Sequence, residues 1–385
     1  MSPSSSPAPS GGGTSDGGTS DGGTSDGGRP RIVMDARFTR MDHHDGISRY
    51  GASLMAAVAP YADVTMLIHD ERQLALLPKL PWVKVNSPLS PMELFVARHV
   101  NRLGADLVFC PMQTMGTWGR TYPLVLTLHD LIYYEHPAPP GFLPAPVRVL
   151  WRLYHKAYWP QRLLLNRADT VATISHTTLG LMNKFRLTRK PIRIVGNAPQ
   201  GGRVPRDPAV APDKTLAYMG SFMPYKNVET LIAGMARLPD YTLHLLSRIT
   251  AERRAELESL VPAGAKVVFH NGVTDAEYDQ LLLRSTALVT LSKAEGYGLP
   301  LVEAMALGTP VVVADTDIFR EVGGAAAHYV PSDSPTAFAA AVRALDDHDA
   351  WAASSVASVA QAATFSWDDS ARELLAMVEE LRGRG

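Results

Sequence analysis

Two successive series of short β-rich runs alternate with helical patterns along this chain, and that order constrains the fold more than any other feature. The first series opens with Arg31-Ile32-Val33-Met34-Asp35, followed by a loop through Asp45-Gly46 and a helical pattern over 48–58. Further apolar runs lie at 64–68, 107–109, 124–127 and 170–174, most of them separated by helical patterns. Strands that return parallel to their neighbours need a helical crossover, so this order predicts a parallel sheet covered on both faces. A second series runs through 215–219, 242–246, 266–269, 287–291 and 310–314. Between the two, 197–213 is crowded with Pro, Gly and Arg and lacks periodicity, as expected of an interdomain linker.

The predicted architecture is therefore α/β, with two Rossmann-like doubly wound domains facing a central cleft. The first domain spans 29–198, the linker 199–213 and the second domain 214–365, while 366–385 carries an amphipathic C-terminal helix able to pack on either domain, crossing back to the first included. Residues 1–28 contain Ser, Pro and Gly and then a repeated Gly-Gly-Thr-Ser-Asp unit. Such a tail has no apolar side chains to offset ordering entropy and reads as disordered.

The 385 residues are 46% hydrophobic and 19% charged, enough to bury a core in each of two domains. A formal net charge of -1 gives no field that would draw nucleic acid, so an anion site has to be local. The single cysteine, Cys110, sits in the apolar run Leu107-Val108-Phe109-Cys110, which excludes a disulfide framework and favours a buried thiol in a reducing cytoplasm. No signal-peptide pattern and no membrane-spanning run is read in the sequence. Residues 142–167 mix Trp151, Tyr154, Tyr158 and Trp159 with Arg148, Arg152, Lys156, Arg162 and Arg167. That composition suits peripheral contact with the inner face of a membrane, and equally an ordinary helix with snorkelling basic side chains.

The chemistry concentrates in Ser292-Lys293-Ala294-Glu295-Gly296-Tyr297-Gly298-Leu299-Pro300-Leu301-Val302-Glu303, which follows an apolar strand. Pro300 suits a first helical turn, Gly308 a helix end, and Pro310 forbids continuation before the next strand. The N-terminus of this two-turn helix offers unpaired N–H groups to a phosphate, and Gly296 and Gly298 let the backbone approach it. Glu295 and Glu303, eight positions apart, can take hydroxyls from either side of a diphosphate. In Tyr218-Met219-Gly220-Ser221-Phe222-Met223-Pro224-Tyr225-Lys226, a strand ends in a glycine loop from which Lys226 can neutralise a phosphate across the cleft.

Glu295 to Glu303 resembles the glutamate, seven residues, glutamate motif of family 4 of the retaining GT-B glycosyltransferases, and the resemblance covers nearly the whole chain after the tail. It implies that Glu295 contacts donor-sugar hydroxyls, Glu303 the ribose and Lys226 the phosphate. The backbone of Gly296-Tyr297-Gly298-Leu299 belongs to the same donor site, and Gly272-Val273 is similar to the family's base-contacting turn. Gly46, in Asp45-Gly46-Ile47-Ser48-Arg49-Tyr50, matches the glycine loop after the first strand. The resemblance also puts His129, in Leu128-His129-Asp130, near the transferred sugar. Many members carry an arginine where this chain has Ser221, and Arg248 is the candidate substitute. The pairing of Gly-Ile-Ser-Arg-Tyr with Leu-His-Asp-Leu is most similar to the mannosyltransferase side of the family, which implies GDP-mannose as donor, a hydroxyl acceptor and no cofactor.

The Asp315-Thr316-Asp317 triplet has the spacing of a metal-binding Asp-x-Asp, but it merely follows the strand after the glutamate helix, so no metal site is assigned. Two rival functions remain open from sequence: a nucleotide-sugar 2-epimerase on the same fold, which needs no acceptor, and a non-enzymatic two-domain sugar-binding protein.

Overall fold

β1 (Arg31–Asp35), β2 (Asp63–Ile68), β3 (Trp82–Lys84), β4 (Leu107–Cys110), β5 (Leu124–Leu128), β6 (Thr170–Thr173) and β7 (Ile192–Ile194) form one sheet in the order β3-β2-β1-β4-β5-β6-β7. A second sheet contains β8 (Asp213–Tyr218), β9 (Thr242–Leu245), β10 (Lys266–Phe269), β11 (Ser285–Thr290), β12 (Val311–Ala314) and β13 (His328–Val330), ordered β10-β9-β8-β11-β12-β13. Every pairing is parallel. The computed structural model describes residues 28–138 and 145–383; the tail reading over 1–27 and the start of the aromatic, basic stretch at 142–144 lie outside them.

Both sheets reverse direction of strand addition once, between β1 and β4 and between β8 and β11. Loops on either side of such a switch point diverge and leave a crevice beyond the carboxyl ends of the strands. Central strands are buried on both faces, which is why β4, β5 and β11 read as continuous apolar or small-residue runs rather than alternating ones. The edge strands β3, β7 and β13 have three residues each and were not anticipated, since so short a run has no measurable period.

The helix Gly46–Val58 begins two residues before its sequence pattern because Asp45 caps it, accepting the Ser48 N–H at 2.9 Å. The C-terminal helix Trp367–Arg382 packs on this helix of the first domain. Ser370 Oγ donates to the Gly196 carbonyl at 2.9 Å, Trp367 Nε1 donates to the Pro199 carbonyl at 3.1 Å, and Arg193 pairs with Glu373 and Glu380. The linker lies on the second domain, where the Arg206 N–H donates to the Leu307 carbonyl at 3.0 Å. No helix among the described residues is long and apolar enough to cross a membrane.

Candidate active site

The loop after β8 carries Lys226 in a short 3-10 turn, Pro224–Lys226. Asn227 ends that turn with φ 55° and anchors it by donating Nδ2–H to the Leu291 carbonyl at 3.1 Å. The loop after β11 is fastened to the same turn, because the Lys293 N–H donates to the Tyr225 carbonyl at 2.8 Å. Together these bonds set Lys226 Nζ 2.6 and 2.7 Å from the two carboxylate oxygens of Glu295. Both side chains are mostly buried, at 13% and 15% exposure, so the pair sits in a medium of low dielectric where charge counts for more than in water. Lys226 was expected across the cleft from the glutamates. It instead stands on the same wall as Glu295, because β8 and β11 are hydrogen-bonded neighbours and their loops leave the sheet side by side.

Beyond Glu295 the chain turns at Gly298, whose φ of +95° is a left-handed conformation that side chains resist, and enters the helix Leu299–Ala306. Tyr297 does not point its ring at the cleft; its Oη donates to the Asn197 carbonyl at 2.7 Å and it is nearly buried against the end of the first domain. The Tyr297 side chain is thus already engaged, and Gly296 and Gly298 on either side of it offer only backbone. Glu303 lies on the second turn of this helix and is buried, with Arg49 Nη1 at 3.5 Å and Arg203 Nη1 at 3.6 Å. Burial pushes its carboxyl above the usual range, and the two guanidinium groups oppose that shift.

The opposite wall comes from the carboxyl end of β5. His129 Nε2 lies 2.6 Å from the Pro111 carbonyl, and the Tyr50 ring meets the imidazole edge-on at 5.1 Å. Burial holds the His129 pKa down, so the neutral ring keeps its proton on Nε2 for Pro111 and leaves Nδ1 as an acceptor. Asp130 faces the second domain closely enough that a Cβ on Gly296 would come 3.0 Å from its Oδ2, and burial pushes its carboxyl up. Asp130 had no role assigned from sequence; its position just past the end of β5 was the available signal.

Gly46 is the first residue of its helix, exposed, with open space where a Cβ would lie. Ser221 is exposed on the β8 loop, which is tied to the β9 loop by the Gly220 N–H donating to Ser247 Oγ at 3.0 Å. Arg248 follows that serine, lies over Gly272 (φ +102°) with Val273 beyond, and reaches Asp42 of the first domain at 3.3 Å. Other contacts also close the cleft. Arg49 pairs with Asp275 at 3.0 Å, and Glu321 accepts the N–H groups of His176 and Thr177, both at 2.7 Å. His136 stacks on Tyr225 with centroids 5.4 Å apart. Asp315 is occupied by Arg320 at 2.6 Å.

Two doubly wound domains meet at a shared cleft, with a mostly buried lysine–glutamate pair beside one switch point, the place where open α/β sheets take ligands. Comparison with known proteins is specific. Residues 206–350 match the family described as Glycosyl transferases group 1, and 62–198 match Glycosyltransferase Family 4. The O-antigen chain mannosyltransferase RfbU of Salmonella typhimurium is 25% identical over 78% of this chain and 87% of its own length. O-antigen chain mannosyltransferase B of Escherichia coli is 29% identical over 64% of this chain and 67% of its own. Among solved structures, sucrose-phosphate synthase from Thermosynechococcus elongatus superimposes with a TM-score of 0.72 at 20% identity, covering 93% of this chain and all of that one. HepE from Anabaena, solved with UDP and glucose, gives 0.71 at 18% identity over 91% of this chain and all of its own. The chain belongs to the group 1, family 4 glycosyltransferases of GT-B fold and is a glycosyltransferase.

Proposed function

We propose that the chain is a retaining mannosyltransferase that moves mannose from GDP-mannose to a hydroxyl of a saccharide or lipid-linked acceptor without a metal ion. The observation that carries this reading is the bidentate Lys226–Glu295 pair beside the N-terminus of Leu299–Ala306. Breaking the bond between the anomeric carbon and the diphosphate oxygen leaves positive charge on the sugar and negative charge on the nucleotide. Lys226 and the helix N-terminus supply preorganised positive potential to the nucleotide, with Arg248 a second cation on the same wall. Glu295 holds sugar hydroxyls, Glu303 the ribose, and the Gly272-Val273 turn the base. The acceptor oxygen bonds to the anomeric carbon from the face the diphosphate leaves, and its proton passes to the departing phosphate oxygen. Mannose is favoured over other hexoses by the names of the two O-antigen relatives.

A thermal-shift panel tests the donor. GDP and GDP-mannose at about a hundredfold excess over Kd add about 2.7 kcal/mol to the folded state, enough to raise Tm by several degrees, while UDP-sugars leave it unchanged. A panel in which no nucleotide sugar moves Tm would remove the reading.

The acceptor side includes an amphipathic face. Helix Ala145–Tyr154 exposes Val147, Val149, Leu150 and Leu153 beside Trp159 and Leu163, interspersed with Arg148, Arg152 and Lys156. Apolar side chains ringed by cations suit an anionic lipid surface. The chain is expected to float with vesicles containing anionic phospholipid and to stay at the bottom of the gradient when the vesicles are neutral. Leu150→Glu with Leu153→Glu should abolish flotation and leave turnover of a soluble acceptor unchanged.

A further inference from the structure

Three parts of the molecule converge on one carboxylate. Glu303 belongs to the second domain, Arg49 to the first and Arg203 to the linker. Both arginines stand at ion-pair distance, yet among the described residues no group donates a hydrogen bond to Glu303. Arg203 is nearly as buried, at 7% exposure. One arm of its guanidinium is fixed, with Nη2 at 2.9 Å and Nε at 3.3 Å from Asp279, while Nη1, the nitrogen turned toward Glu303, is buried without a hydrogen-bond partner. A buried guanidinium nitrogen left without an acceptor is unusual and costly, and here it faces the carboxylate assigned to the donor.

The two arginines differ in what they are attached to. Arg49 approaches from the helix Gly46–Val58 of the first domain. Arg203 is fastened to the second domain, the one that carries Glu303, by Asp279 and by the bond from the Arg206 N–H to Leu307.

We propose that Arg203 is a positioning residue for the nucleotide: it keeps Glu303 ionised and aimed, so that the carboxylate accepts hydrogen bonds from the vicinal hydroxyls of the ribose. The proposal rests on the reading of Glu303 as the ribose ligand. The groups facing Glu303 are Arg49 from the first domain, Arg203 from the linker, and Asp275, Tyr278 and Asp279 from the helix Asp275–Arg284. Burial and the two aspartates favour the protonated form; only the arginines oppose them. Without Arg203 the carboxyl titrates at higher pH, and as pH falls it takes up a proton and loses the charge that strengthens its bonds to the diol.

Calorimetric titration with GDP separates the possibilities. Arg203→Met is expected to weaken GDP binding about tenfold relative to the wild type at pH 8, and that ratio should widen toward about pH 6, since titration of the terminal phosphate of GDP is common to both proteins. Glu303→Gln should weaken binding relative to the wild type by a factor that does not grow as pH falls, and adding Arg203→Met to it should cost little more. Arg203→Lys should restore most of the affinity, and in turnover the loss should appear in the donor KM with kcat nearly unchanged. Melting curves identify a misfolded variant, in which case Arg203→Gln, which keeps a donor without the charge, takes its place. If Glu303→Gln binds GDP as the wild type does, the ribose reading fails. If Glu303→Gln is weak but removal of the Arg203 charge is silent, or its effect is independent of pH, the inference about Arg203 fails.

Discussion

Replacing Lys226 by Met should lower kcat/KM about a hundredfold to a thousandfold while the fold stays intact. A preorganised charge aimed at a leaving group is worth about 2.7 to 4 kcal/mol when removed. Here the ammonium is nearly buried, held 2.6 and 2.7 Å from Glu295 on a turn fixed by Asn227 and the Lys293 N–H, so little reorganisation is needed when negative charge develops. The loss has a second component. Without Lys226 the Glu295 carboxylate stands uncompensated beside the diphosphate and repels it. Glu295→Gln alone, which keeps shape and removes charge, should cost tenfold or more, about 1.4 kcal/mol. Because the two side chains touch, their effects should not multiply: the double variant is expected to be less impaired than the product of the two singles. Nucleotide release followed at saturating acceptor, with circular dichroism as a control for folding, measures all three. A Lys226→Met enzyme within twofold of the wild type would show that the leaving group is stabilised elsewhere.

The alternation of strands and helices was legible because a buried parallel sheet demands continuous apolar runs, and β4 and β11 supply them. The sequence also put Lys226 in the loop after one apolar run and Glu295, Gly296 and Gly298 in the loop after another, and those loops do leave the carboxyl ends of the central strands β8 and β11. What could not be read were relations across the fold. Nothing in the spacing told that Lys226 and Glu295 would share a wall, since that follows from β8 and β11 being neighbours in the sheet. Nor did the sequence tell that Tyr297 would turn to the Asn197 carbonyl, or that Arg203, in a stretch without periodicity, would be buried against Glu303. Linker residues carry no pattern because their environment is made by two domains at once. The destination of the C-terminal helix was open for the same reason, its apolar stripe fitting either domain until Ser370 and Trp367 meet the end of the first.

The first domain has its own buried charge cluster, invisible in sequence, and it supports the second large prediction: Arg37→Met is expected to destabilise the protein by about 3 to 5 kcal/mol. Arg37 and Asp35 are fully buried at the carboxyl end of β1. Nε and Nη2 of Arg37 each lie 2.8 Å from an Asp35 oxygen, Nη1 lies 2.6 Å from Glu93 and 3.1 Å from the Asn86 carbonyl. Burial alone works against the guanidinium charge, but Asp35 and Glu93 overcome it and raise its pKa. Methionine fills much of the same volume, so the cost comes from the charge left on Asp35, which keeps a contact with the Cys110 thiol at 3.6 Å but loses both guanidinium bonds. Urea denaturation should show a lower midpoint with an unchanged slope. Adding Asp35→Asn should recover part of the loss, because a buried pair costs more to break than to remove. A single variant as stable as the wild type would mean that water reaches Asp35. The consequence for function is local: Gln73 Nε2 holds the carbonyls of Ala36, Arg37 and Thr39, and this stretch leads into the Asp45-Gly46 loop at the cleft. Loss of the cluster should therefore loosen the first-domain rim of the site before it unfolds the rest of the domain.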